Sequence, residues 1–142
     1  MKKVAIASDH AGFHLKSAII DQFKETYDWV DLGTNSTESV DYPDFGKKLA
    51  AAVINGEVEQ GVLICGSGIG ISIAANRYKE IRAALCTDMT MARLCRQHND
   101  ANVVALGERL VGQQVAFDIV ETFLNTDFEG GRHQNRVNKL SK

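Results

Sequence analysis

Long hydrophobic runs, a framework of paired cysteines and an excess of one charge are all missing from this sequence, and each gap closes off a class of protein. No apolar stretch approaches the roughly 20 residues of a membrane-spanning helix. The start, Met1-Lys2-Lys3-Val4-Ala5-Ile6-Ala7-Ser8-Asp9, reaches polar residues too soon for a secretory signal. The three cysteines, at 65, 86 and 95, form no CxxC pair, and an odd count without a framework suits a reducing, cytoplasmic setting. A net charge of −2 makes no electrostatic case for nucleic acid or an anionic membrane as partner. Internal repeats, low-complexity segments and linkers are absent as well, so the 142 residues read as one domain spanning 1–142. Hydrophobic and charged contents of 44% and 24% are those of an ordinary globular chain with a substantial core.

What is present is an alternation of short apolar runs with helical periodicity. Lys3 to Ala7 reads as a strand buried on both faces, followed by Leu15, Ile19, Ile20 and Phe23 at helical spacing. Trp29 to Leu32 is a second short strand. Pro43, the only proline, fits the first turn of a helix that runs to Asn55-Gly56, a C-cap pair. Gly61 to Cys65 is the third strand, Ile81 to Cys86 the fourth and Asn102 to Gly107 the fifth. Thr87 or Asp88 can cap the helix through Met91, Leu94 and Cys95, with His98-Asn99 closing it. A longer helix follows from Gln113 to Asn125, and Arg132 to Leu140 forms a short helical tail. Five strands alternating with helices predict an α/β fold with a parallel sheet covered on both faces. Such sheets bind ligands at the carboxyl ends of their strands, where the strand order reverses. That rule gathers Asp9-His10, Cys65 to Gly70 and the Asp88 region on one edge.

The chain is organised around Cys65-Gly66-Ser67-Gly68-Ile69-Gly70, in which a buried strand ends in a cysteine and glycines at alternate positions. A helix can start directly afterwards. A strand, a tight turn and a helix N-terminus aim several backbone N–H groups at one spot, which suits an anion or an oxygen that becomes negative during a reaction. Cys65 at the rim of that spot is a candidate base; the plainer alternative is a small buried hydrophobe ending a strand. Cys86 and Cys95 lack such neighbours and read as core packing. A cysteine-based phosphatase loop needs an arginine where Ile71 stands. The glycines spell GxGxG, without the GxGxxG of dinucleotide sites or the lysine of a P-loop. Asp88 stands about where a ribose-binding acid would, but the turn follows the third strand rather than the first, and capping is the simpler role for it.

Other candidates are weaker one by one. Asp9-His10 ends the first strand, facing either the ligand edge or solvent. His98 at a helix C-terminus gains from the dipole whatever else it does. His14 reads as an ordinary surface residue inside a helix. Arg132 and Arg136, four apart, share a helix face and can clamp a phosphate together; with Arg109 and His133 they make a basic cluster in a slightly acidic chain.

Asp9-His10-x-Gly12, Asp41-Tyr42-Pro43, Cys65 to Gly70, Arg96-Gln97-His98-Asn99-Asp100 and Gly130-Gly131-Arg132-His133-Gln134-x-Arg136 occur here in one order. Together they resemble the B-type ribose-5-phosphate isomerases, in the family that also holds the galactose-6-phosphate isomerase subunits. The resemblance covers essentially the whole chain. It implies a Rossmann-like three-layer αβα sandwich, no cofactor or metal, and a homodimer or homotetramer whose active sites are shared between subunits. The implied reaction interconverts an aldose phosphate and a ketose phosphate of the pentose phosphate pathway through an enediolate, with Cys65 as the base. Gly66, Ser67, Gly68, Ile69 and Gly70 would bind the enediolate oxygen, with Ser67 beside the base. Asp9 and His98 would open the furanose ring, His98 as proton donor, and Asn99 would hold sugar oxygens. His10, Arg109, Arg132 and Arg136 match the phosphate-binding set. One branch of the family replaces the cysteine with a glutamate a few residues on; Cys65 and Ile71 put this chain in the cysteine branch. Two rivals stand beside this reading: a six-carbon sugar phosphate as substrate, and a nucleotide-binding module that uses the turn for phosphates only.

Overall fold

A computed structural model describes residues 1–141. Five strands, β1 (Lys2–Ser8), β2 (Tyr27–Asp31), β3 (Gly61–Cys65), β4 (Ala83–Leu85) and β5 (Val103–Gly107), form one parallel sheet in the order β2-β1-β3-β5-β4. The helices are α1 (Phe13–Gln22), α2 (Tyr42–Ile54), α3 (Ile69–Ala75), α4 (Met89–Asn99), α5 (Gln113–Leu124) and α6 (Arg132–Leu140). Alternate residues of the strands feed two cores. Val4, Ile6, Val62, Ile64, Val104 and Leu106 pack under α1, α4 and α5, whereas Ala5, Ala7, Leu63, Val103 and Ala105 pack under α2 and α3. This is the expected three-layer sandwich. Both central strands, β3 and β5, are buried at every position, which is why they read as unbroken apolar runs. Among the described residues no helix is long and apolar enough to cross a membrane.

Local signals behave as their chemistry demands. Pro43 sits in the first turn of α2, and the Asp88 carboxylate accepts from the Met91 amide at 2.8 Å to cap α4. Cys86 and Cys95 are buried in the first core, where the Cys95 thiol donates to the Ala92 carbonyl at 3.2 Å, and the proximity of the Cys95 thiol, with burial, pushes the Cys86 thiol up in pKa. Several boundaries differ from expectation, among them β2, which begins at Tyr27 rather than Trp29 and ends at Asp31 rather than Leu32. The fourth strand is shorter than Ile81 to Cys86, because the Ile81 amide turns back to the Tyr78 carbonyl and the Arg82 amide is taken by the Asn102 side chain. Helix α3 starts at Ile69, with Gly70 inside its first turn. A short 3₁₀ turn, His10–Gly12, also precedes α1, and its cap is Asp9.

The chain runs out from β1 to the edge strand β2 and returns past β1 to β3, so the order reverses between β1 and β3. Their carboxyl ends carry Asp9 and Cys65. The outward half of this path is pinned by Lys16, an α1 residue only 2% exposed, whose ammonium lies 2.8 and 2.9 Å from the two carboxylate oxygens of Asp31 at the end of β2. Asp31 also accepts from the Gly33 amide at 2.9 Å. Removing only the acid strands a charge in the core. Asp31→Asn is expected to cost on the order of 3 kcal/mol in urea unfolding, and the double change Lys16→Met with Asp31→Asn is expected to cost less than the single one.

Candidate active site

A cleft of about 470 Å³ opens at the switch point between β1 and β3, lined by Asp9, His10, Tyr42, Cys65, Gly66, Ser67, Ile69, Gly70 and Arg109 among others. Its floor is Cys65, 4% exposed, whose sulfur accepts the Gly68 amide at 3.2 Å. Directly after this contact the chain turns into α3 through Gly68, which holds φ +77, a conformation that favours glycine. A Cβ there would meet Leu85 Cδ1 at 2.6 Å and the Leu106 carbonyl carbon at 2.8 Å, so the turn is also pressed onto β4 and β5. The Ile69 amide is taken by Ser67 Oγ at 3.1 Å. The amides of Ser67, just before the N-cap, and of Gly70, in the first turn of α3, have no partner among the described residues.

Around this floor the other groups are fixed by the backbone. Asp9 is nearly buried, and one carboxylate oxygen accepts the Ala11 and Gly12 amides at 3.0 and 3.1 Å. His10 Nδ1 accepts the Val40 amide at 3.1 Å, which leaves the proton of the neutral ring on Nε2. The Arg109 guanidinium lies over Gly66, where a Cβ would approach Nη1 to 3.1 Å. The Arg109 amide is tied to the Gly66 carbonyl at 3.0 Å, so the cation is registered against the turn. Tyr42, at the start of α2, lays its ring on Gly70, where a Cβ would meet Cε1 at 2.6 Å. Sequence reasoning quoted Tyr42 only within a motif and missed it as part of the cleft wall.

Asp9, His10, Ser67, Arg109 and the whole Cys65 to Gly70 turn therefore come together, but His98, Asn99, Arg132 and Arg136 do not line this cleft. The expectation that Asp9 and His98 work on one sugar is not met within a single chain. Helix α4 leaves the carboxyl edge after its Asp88 cap and runs back along the sheet for eleven residues, about 16 Å. His98 and Asn99 end it near the amino edge, beside the start of β5. Arg96 locks that end through contacts to Asp100, the Ala101 carbonyl and the Thr126 carbonyl at 2.9, 2.7 and 2.9 Å. Arg132 opens α6, which packs on α4. Asp88 caps α4 and does not line the cleft.

A family model described as Ribose/Galactose Isomerase matches residues 4–140. The chain belongs to the ribose/galactose isomerase family. Ribose-5-phosphate isomerase B of Escherichia coli strain K12 is 49% identical over 142 residues, covering 99% of this chain and 95% of that one. Among solved structures, ribose-5-phosphate isomerase B of Clostridium thermocellum superposes with a TM-score of 0.96 at 56% identity, over 98% of this chain and 95% of that chain. The Mycoplasma genitalium enzyme, solved with bound ribulose-5-phosphate, gives 0.92 at 43% identity, over 98% and 93%. In this member of the ribose/galactose isomerase family the turn tolerates no side chain at 68. Gly56 has the same φ of +77 with nothing within 4 Å of a Cβ. Gly56→Ala is expected to cost about 1 kcal/mol in urea unfolding and Gly68→Ala about 3 kcal/mol, the difference reporting the clash.

Proposed function

We propose that the chain is an aldose–ketose isomerase that interconverts ribose 5-phosphate and ribulose 5-phosphate with Cys65 as the base. The observation that carries this reading is the Cys65 sulfur facing a cleft at the switch point, with the Gly68 amide aimed at it and free amides beside it. The thiolate takes the proton from C2 of the open-chain aldose. The electron pair enters the C1–C2 bond, and the negative charge lands on O1, within reach of the amides of the turn. The proton then returns to C1 as C2 becomes the carbonyl and the O2 proton passes to O1. Ser67 stands beside the base.

Ring opening needs two more groups. Asp9 takes the O1 proton of the furanose as C1=O1 forms, and His98 gives a proton to the ring oxygen as the C1–O4 bond breaks. Asn99 holds sugar oxygens; His10 and Arg109, with Arg132 and Arg136, hold the phosphate. Since α4 carries His98 and Asn99 away from the Cys65 edge, these two and the α6 arginines serve the cleft of a second copy. Ile69, Ile73, Met89 and Leu110, all about half exposed or more, stand on α3, at the start of α4 or on the cleft rim, an apolar surface suited to such a partner. The working unit is then a homodimer, alone or paired, with each site built from both chains.

Two experiments test this. In a coupled assay on ribose 5-phosphate without added cofactor, Cys65→Ala is expected to lose at least about 10³-fold in kcat while still binding substrate. Normal turnover of that variant rejects Cys65 as the base. Cys65→Ala and His98→Asn, each inactive alone, are expected to regain about a quarter of wild-type activity when unfolded and refolded together, because mixed dimers carry one intact site. No recovery on mixing rejects the shared site.

A further inference from the structure

Glu129 and His133 lie outside the cleft and have no part in the reaction as written above, yet both converge on His98. The His98 and His133 rings stack with centroids 4.5 Å apart and planes within 16° of parallel. One oxygen of Glu129, Oε1, lies 3.6 Å from His98 Nε2 and 3.7 Å from His133 Nε2. The backbone places these groups deliberately. The Glu129 amide donates to the Gln97 carbonyl at 3.1 Å, fixing the loop against the residue before His98. Gly130 and Gly131, at φ +68 and +54, then turn the chain so that the first turn of α6 returns His133 onto the His98 ring.

The three ligand atoms lie within 4.8 Å of one another. A metal, however, lies in the plane of each imidazole it binds, and two nearly parallel ring planes share no such point. The arrangement suits a proton. One carboxylate between two imidazoles favours a single added charge, and two stacked imidazoliums would repel. Burial holds His133 below the ordinary histidine value of 6.5, with His98, Arg132 and Arg136 pushing the same way and Glu129 opposing. His133 is also the more enclosed of the two, at 11% exposure against 40% for His98. His98 is therefore the ring that faces outward.

We propose that Glu129 and His133 are positioning residues for His98: the carboxylate beside Nε2 and the stacked ring together fix the plane of its imidazole, so that His98 meets the furanose oxygen oriented. This rests on the reading of His98 as the ring-opening acid. The pair acts through His98 alone, so it serves ring opening and not the proton transfer at carbon.

The chemistry separates these two steps. Ribulose 5-phosphate has its terminal hydroxyl esterified and forms no furanose, so exchange of its C1 hydrogen with solvent deuterium needs Cys65 but no ring opening. Glu129→Gln, His133→Phe and His98→Asn are to be compared with the wild-type assembly in two measurements: kcat on ribose 5-phosphate, and deuterium incorporation into ribulose 5-phosphate followed by NMR. Glu129→Gln and His133→Phe are expected to lose about 10- to 100-fold in the first and to stay within about threefold in the second. If both rates fall together the residues are merely structural, and if neither falls they do not act on His98; either result overturns the inference. His98→Asn tells its failure from that of the reading beneath it. If His98→Asn retains full turnover of ribose 5-phosphate, the acid is misassigned and both fall; if it loses that turnover alone while the other two variants do not, only the positioning role fails.

Discussion

One tight turn fixes the floor of the cleft: the Gly68 amide points at the Cys65 sulfur, and Gly68 itself takes the left-handed backbone, φ +77, from which the chain passes directly into α3. The same residue gives up its Cβ volume to Leu85 and Leu106, so the turn is clamped between Cys65 and the neighbouring strands. Gly107 makes the matching concession: a Cβ there would meet the Ser67 backbone at 2.6 Å. The amides of the turn are thus held in place before any substrate arrives, which is the condition for a low-reorganisation anion site. Asp9 and Arg109 are tied to this feature through their amides, which donate to the Ile64 and Gly66 carbonyls, and His10 is held across the cleft by the Val40 amide.

Parallel topology then divides the chemistry. A sheet built from right-handed crossovers presents its carboxyl edge to the ligand and sends every helix back toward the opposite edge. Residues at the start of a helix stay with the site, as Ile69 and Gly70 do. Residues at the end of one are carried away, as His98 and Asn99 are. In the proposed function a second copy unites the two sets, with the exposed apolar side chains on α3 and the cleft rim as the surface that would receive it.

Much of this was legible in the residues. The buried strands announced themselves as apolar runs, Asp88 and Pro43 marked helix starts, and the order of strands with the carboxyl-edge rule gathered Asp9, His10 and the glycine turn. Three features were hidden for physical reasons. The early start of α3 was masked because a glycine at position 70 reads as a breaker, whereas here it makes room for the Tyr42 ring. The short β4 depended on the Asn102 side chain taking the Arg82 amide, a contact 20 residues away in sequence. The convergence of Glu129 and His133 on His98 depended on two positive-φ glycines and on the Gln97 carbonyl, and no periodicity records that. The motif around Gly130 carried the residues without their geometry.

The double duty of Asp9 has a practical consequence. The oxygen that receives the Ala11 and Gly12 amides is covalently part of the same carboxylate that lines the cleft, so truncating the side chain would loosen the entry to α1 and delete the group proposed to open the ring in one stroke. Any loss of activity in an alanine variant would mix misfolding with chemistry in unknown proportion. An amide at that position keeps an oxygen for the turn and removes only the basicity, which makes asparagine the informative probe of that carboxylate.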